Sequence, residues 1–217
     1  LLSNMIGVDL GTDTMKLRSR NGDKFMENRN LIAMRGKKIL AIGNEAFEMY
    51  EKNPVSVRVS RPMTGGVIAS SADMELVLTH TLRQFTAFSR SAGICIAVPS
   101  QVTPVEQRAF YNVCRTSMNP ARVRLVEKGI ADAVSIGLPI LDSAGHMIVN
   151  IGADTTEISV ISDGKVIIGR SLKEGGYAID ESIISMVRRK FNINIGHKTA
   201  EQLKNNLAFM INGQRLE

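Results

Sequence analysis

Apolar and polar positions divide the chain into short strand-like runs and longer helix-like stretches. Residues 5–10 form an apolar run that predicts a strand, 11–14 a turn and 15–19 a second strand, closed by Asn21-Gly22, a strong hairpin signal. Residues 39–42 predict another strand inside a mixed, polar stretch over 25–60, consistent with a small excursion from the main sheet. Met74, Val77, Leu78, Leu82 and Phe85 fall on one helical face, with Ser70, Ser71 or Asp73 available as the cap. The continuous apolar run 94–98 suits a buried strand. Thr103, Pro104 and Glu106 then give a capping box with proline at the first helical position, opening a helix that runs to about residue 117. A strand over 123–126 and a helix over 129–136 follow, the helix stopped by Gly137-Leu138-Pro139.

Residues 147–151 restart the opening pattern. A second strand over 155–161, a turn at Asp163-Gly164 and a third strand over 165–170 follow. Ile179, Ile183, Ile184, Val187 and Phe191 mark the apolar side of a helix, and a last helix runs from Thr199 to about Met210, capped by Thr199 or His197. The repeat extends to single residues: Asp9-Leu10-Gly11-Thr12-Asp13-Thr14 aligns with Asn150-Ile151-Gly152-Ala153-Asp154-Thr155, 141 residues later. A tight turn between two strands exposes successive backbone N–H groups, and such concavities bind phosphate oxygens. A carboxylate at the strand end holds Mg²⁺ through its water shell. Two ordinary hairpins are the alternative; the matched pair favours two lobes gripping one polyphosphate.

Composition narrows the class. The chain has 217 residues, 44% hydrophobic and 22% charged, the balance of a globular protein. No apolar run approaches the roughly 20 residues of a membrane span, and the opening Leu-Leu-Ser-Asn has no signal-peptide character. Its two cysteines, Cys95 and Cys114, lack metal-ligand spacing and read as reduced, structural thiols of a cytoplasmic protein. His80, His146 and His197 are scattered and receive no ligand role. A net charge of +6 comes from dispersed basic residues without aromatic interleaving, which argues against nucleic-acid binding.

The stretches GVDLGT and VNIGADTTEISVIS resemble the actin-like ATPase superfamily. RPMTGGVIA, VPSQVTPVEQRA, GIADAVSIGLP, GGYAIDESIISMVRRKF and IGHKTAEQLK narrow the resemblance to the MreB/Mbl-type bacterial actins, over nearly the whole chain. The resemblance implies an α/β, actin-like (ribonuclease H-like) two-lobed fold with an incomplete second lobe: residues 1–145 as the first lobe, with a small inserted subdomain at about 28–60, and 146–217 as the start of the second. It implies ATP or ADP with Mg²⁺ between the lobes, and filaments under the cytoplasmic membrane that organise cell-wall synthesis in rod-shaped cells. The expected partners are the protein itself or a paralogue in the filament, cell-wall synthesis and inner-membrane shape proteins, and the membrane surface. By position, Gly11, Thr12 and Thr14 form the first phosphate loop, with Asp9 near the metal. Lys16 matches a phosphate-directed lysine of actins, with an exposed strand lysine as the alternative. Gly152, Asp154 and Thr155 belong to the second loop, Gly175 and Gly176 lie near the ribose or phosphates, and Glu201 and Lys204 lie near the nucleoside.

Three departures fall on the chemistry. Asn150 stands where the family has Asp; it keeps the shape but holds hydrated Mg²⁺ less well and cannot act as a base. Asp154 brings a carboxylate beside the γ-phosphate position, unfavourable without a cation to bridge it. The family's Glu-Glu-Pro reads Glu127-Lys128-Gly129, and Lys128 replaces the carboxylate expected to position the attacking water, leaving an ammonium able to pair with phosphate or with Asp154. Together they imply weak or lost ATP hydrolysis on a retained architecture. The family also continues past residue 217 into a glycine-rich adenosine loop, so this chain is expected to be a fragment or a truncated paralogue with exposed apolar surface and strand edges. Phe88, with Arg83 and Arg90, is the candidate membrane contact, against packing of Phe88 on its own helix. Two functions compete: a filament-forming cytoskeletal ATP-binding protein, and a non-polymerising pseudo-ATPase that docks onto a true MreB.

Overall fold

Two hairpin-led sheets organise the computed structural model, which describes residues 5–85 and 92–208. Phe88, Arg90 and Met210 lie outside those residues. The first part contains β1 (Met5–Leu10), β2 (Thr14–Ser19), β3 (Phe25–Arg29), β4 (Ile32–Arg35), β5 (Lys38–Ile42), α1 (Asn44–Met49), β6 (Arg58–Ser60), β7 (Met63–Thr64), β8 (Val67–Ile68), α2 (Ser71–Phe85), β9 (Gly93–Val98), α3 (Pro104–Met118) and β10 (Arg122–Glu127). The second contains α4 (Lys128–Ser135), β11 (His146–Ile151), β12 (Thr156–Ser162), β13 (Lys165–Leu172), α5 (Gly176–Phe191) and α6 (His197–Leu207). Among these, no helix is long and apolar enough to cross a membrane.

The main sheet runs in the order β10-β9-β1-β2-β3. Antiparallel hairpins join β1 to β2 and β2 to β3, while β9 pairs in parallel with both β1 and β10. Parallel pairing needs crossover helices, and α2 and α3 supply them. Ile6, Val8 and Leu10 turn inward at every second position, as do Met15 and Leu17, and they pack with Met74, Leu78, Leu82, Ile94, Ile96 and Phe110. Thr103 caps α3 as its sequence predicts: its hydroxyl accepts from the Glu106 N–H at 3.3 Å and the Glu106 carboxylate accepts from the Thr103 N–H at 2.7 Å. At α2 the Ser70 hydroxyl accepts from the Asp73 N–H. The Asp73 carboxylate is bound instead by the Arg58 guanidinium at 2.8 Å.

A second, smaller core of Leu31, Ala33, Ala41, Ala46 and Val57 sits under the sheet β5-β4-β6 and α1. The sheet β11-β12-β13 is antiparallel throughout. Helix α4 packs on it through Ala133, against Ile148 and Ile161. Gly129 permits the approach, since a Cβ there would lie 2.5 Å from the Ser159 hydroxyl oxygen. Coverage elsewhere is thin. Met147, Val149 and Ile151, alternate residues of edge strand β11, are exposed, as are Ile179 and Phe191 on the side of α5 that the sequence marks as apolar. The periodicity identifies that side; it does not say what covers it.

One helix start departs from its sequence prediction. Helix α6 begins at His197, two residues before Thr199, and neither side chain caps it. The Glu51 carboxylate, from the far lobe, takes the N–H groups of His197 and Lys198 at 2.5 and 3.3 Å. A carboxylate at a helix N-terminus satisfies orphan donors and complements the dipole. The cap is long-range rather than local.

Candidate functional site

The repeated loops have repeated geometry. In the first, the Gly11 N–H donates to the Thr14 carbonyl at 2.9 Å; in the second, the Gly152 N–H donates to the Thr155 carbonyl at 2.8 Å. A Cβ would stand 2.5 Å from that carbonyl oxygen at Gly11 and 3.0 Å at Gly152, so glycine permits both turns. Asn30 braces the first loop, donating from its backbone to the Asp13 carbonyl and from its amide to the Gly11 carbonyl. The first turn of α5 braces the second, with Gly176 N–H donating to the Gly152 carbonyl and Tyr177 N–H to the Ala153 carbonyl. Gly175 is packed so closely that a Cβ would meet the Gly152 oxygen at 2.6 Å.

The loops face each other across a pocket of about 50 Å³, space for a phosphate-sized group. Gly11 and Thr12 line one side; Gly152, Ala153, Asp154 and Thr155 line the other; Lys128 and Glu157 are among the remaining wall residues. Thr14 contributes its carbonyl to the first turn rather than a wall of this pocket. The three altered positions each have a partner. The Asn150 amide donates to Asp132 at 2.6 Å. The Asp154 carboxylate accepts from the Gly65 N–H, at the tip of the β7–β8 hairpin, where Gly65 and Gly66 both have positive φ. The Lys128 ammonium lies 3.4 Å from Asp9, so it pairs with Asp9 and not with Asp154 as one reading of the sequence had it.

Other candidates lie outside this pocket. Glu127 is exposed. Lys16 is exposed on β2 and lines a neighbouring groove of about 670 Å³ that also touches Asp9 and Lys128. Glu201 accepts from Arg29 at 2.9 Å, and Lys204 holds Asp180 at 2.8 Å and the Gly176 carbonyl at 3.1 Å.

Several residues here escape a reading of the sequence. Glu157 is buried beside the pocket and faces Asn150 across β11 and β12, as Lys16 faces Asp9 across β1 and β2. Extending the repeat alignment two residues past Thr14 and Thr155 would have marked it. Burial pushes the Glu157 carboxyl pKa up; nearby Lys128 opposes the shift, and Asp132 and Asp9 add to it. Between the lobes, Asp13 is bound by Arg29, accepts from the Tyr177 hydroxyl at 2.8 Å and lies 3.7 Å from Arg61. The Arg61 guanidinium sits over the Tyr50 and Tyr177 rings at 4.7 and 4.9 Å. Burial pushes the Tyr177 phenol pKa up against the pull of Arg61, and Asp13 adds to the rise.

A divalent ion at Asp9 is a poor fit to this donor set. Mg²⁺ asks for carboxylate and water oxygens in an octahedron. Here an ammonium already faces Asp9, and Asn150 turns its amide nitrogen to Asp132. Two unit charges 4 Å apart near a protein surface interact by about 4 kcal/mol, so the ammonium opposes a second cation strongly. Among the described residues, no three His, Cys, Asp or Glu side chains gather into a metal-ion site.

The family model described as "MreB/Mbl protein" matches residues 3–217. The chain is 34% identical over 219 residues to the cell shape-determining protein MreB of Escherichia coli K12, covering 95% of this chain and 62% of that protein. It is 31% identical to the cell shape-determining protein Mbl of Bacillus subtilis, with coverages of 98% and 65%. The chain thus spans less than two thirds of the length of these relatives. Among solved structures, MreB5 of Spiroplasma citri bound to ADP superposes with a TM-score of 0.88 at 30% identity, over 96% of this chain and 63% of that one. Its AMPPNP complex gives 0.90 at 29% identity, over 99% and 66%. The MamK double helical filament, at 20% identity and a TM-score of 0.77, shares the fold.

Proposed function

The chain belongs to the MreB/Mbl family of bacterial actins, and from that premise we propose that it is a cytoskeletal protein that binds adenine nucleotide between its two actin-like lobes, assembles into filaments and contributes to rod cell shape, with weakened ATP hydrolysis. The observation that carries the nucleotide reading is the pair of loops closed by the same Gly-to-Thr hydrogen bond and facing one pocket. The ADP and AMPPNP complexes of the Spiroplasma citri relative support it. Thr12 and Thr155 bring hydroxyl donors to the pocket for phosphate, and Gly11 and Gly152, whose N–H groups close the two turns, keep its walls free of side chains. Gly175 and Gly176 set the α5 N-terminus against the second loop, where its dipole favours an anion. Glu201 and Lys204, on α6, stand on the nucleoside side.

The weakened hydrolysis rests on Asn150 and Lys128. Neither can take a proton from water while one is an amide and the other a charged ammonium. Malachite-green measurement of phosphate release tests this. The wild type is expected to release phosphate slowly, and Asn150→Asp combined with Lys128→Glu to raise the rate by roughly 10²-fold, the scale of one positioned base. A fast wild type that the double substitution leaves unchanged would overturn it. The competing reading, a pseudo-ATPase that docks onto a true MreB, is favoured by the same substitutions. Sedimentation with ATP separates the two: pelleted polymer supports the filament reading, and no polymer under any nucleotide condition sinks it.

A further inference from the structure

Lys128 occupies a position that the rest of the site does not explain. Its side chain is 18% exposed, its ammonium lies 3.4 Å from Asp9, and it lines the pocket that the two phosphate loops share. The contact with Asp9 is one of charge: Asp9 Oδ1 is buried without an aligned hydrogen-bond donor. Lysine carries three N–H donors, and among the described residues the Lys128 ammonium completes no aligned hydrogen bond, so these donors are open to a ligand. Its covalent origin is fixed as well. Lys128 is the first residue of α4, held against the second sheet by the close contact of Gly129 with Ser159.

We propose that Lys128 is a built-in counter-cation that replaces the divalent metal, so that the pocket binds the phosphates of a nucleotide without Mg²⁺. The inference rests on the nucleotide reading above and adds to it the form of charge compensation. A hydrated Mg²⁺ brings two charges and leaves with the nucleotide; the ammonium brings one and stays. Asp9 holds the ammonium in position beside the pocket. The Asp154 carboxylate is engaged by the Gly65 N–H, which spreads its charge away from an incoming phosphate. The same arrangement disfavours a metal, because an ion entering at Asp9 must displace or face the ammonium.

Isothermal titration of ATP into the full chain, in excess MgCl₂ and in excess EDTA, tests the proposal. Wild-type affinity is expected to change by less than about three-fold between the two buffers, because the fixed charge is present in both. Lys128→Arg keeps a cation and is expected to behave as the wild type. Lys128→Met frees Asp9 and is expected to make binding metal-dependent, with a loss of about ten-fold or more on chelation. Wild-type binding that collapses in EDTA overturns the proposal while leaving the nucleotide reading intact, as does a Lys128→Met variant that stays metal-independent. No detectable binding of ATP by the wild type in either buffer overturns the nucleotide reading, and this inference with it.

Discussion

Gly175, at the start of α5, and Gly152, in the second loop, differ in how little room they leave. At Gly175 an added Cβ would meet backbone atoms of Gly152 and Ala153 in the second loop at 2.6 to 2.8 Å, and backbone cannot step aside as a side-chain end can. At Gly152 the corresponding distance is 3.0 Å. Gly175→Ala is therefore expected to destabilise the chain by about 1–3 kcal/mol in urea unfolding, and more than Gly152→Ala. Asp73 gives a second test. Hydrogen bonding by Arg58, against the cost of burial, holds its carboxyl below the ordinary 3.8. The folded state thus binds this proton less tightly than the unfolded state. The contribution of Asp73 is full above pH 3.8 and is lost as pH falls through the folded value. Asp73→Asn should flatten that acid limb in unfolding melts below pH 3.8 and lower stability at neutral pH. The loop residues were legible because they recur within the chain. The Asp13, Arg29, Arg61 and Tyr177 cluster was not, because its members lie far apart in sequence and no local pattern joins them.

Elements whose signals are local were legible nearly to the residue. The capping box of α3, the apolar face of α2 and the Asp163-Gly164 turn each depend on neighbours within a few positions. The start of helix α6 was read two residues late because its cap comes from Glu51, 146 residues away from His197. A Glu51→Ala substitution is expected to speed amide exchange at residues 197–200 while leaving the N-terminus of α3 unchanged, as read by hydrogen–deuterium exchange. Equal protection in both variants would mean that α6 is held by packing alone. The cap also uses Gly196: a Cβ there would run into the Glu51 carboxylate, which would have to shift.

Across the whole molecule, polar and charged contacts link the two lobes. Glu51 grips α6, Lys198 reaches Glu48 and the Phe47 ring, Arg29 ties Asp13 to Glu201, and Tyr177 closes on Asp13. Charged contacts near the surface weaken as salt shortens the screening length to about 3 Å at 1 M. Small-angle scattering is therefore expected to show a larger radius of gyration in molar KCl than at low salt, and Arg29→Ala to bring that opening to lower salt. A radius independent of salt in both proteins would assign the closure to apolar packing. The sequence indicated two related lobes through the repeat, but not what joins them, since charges on opposite lobes carry no shared periodicity.

The matched hydrogen bonds of the two loops have one more consequence. Each position in one loop has a counterpart 141 residues away with the same turn and a different lining, so the molecule supplies its own internal control. Swapping Asp9 with Asn150 exchanges charge between two settings of nearly equal shape. Any difference in ligand binding between the two single substitutions then measures the lobes' surroundings, Lys128 on one side and Asp132 on the other, rather than the loop itself.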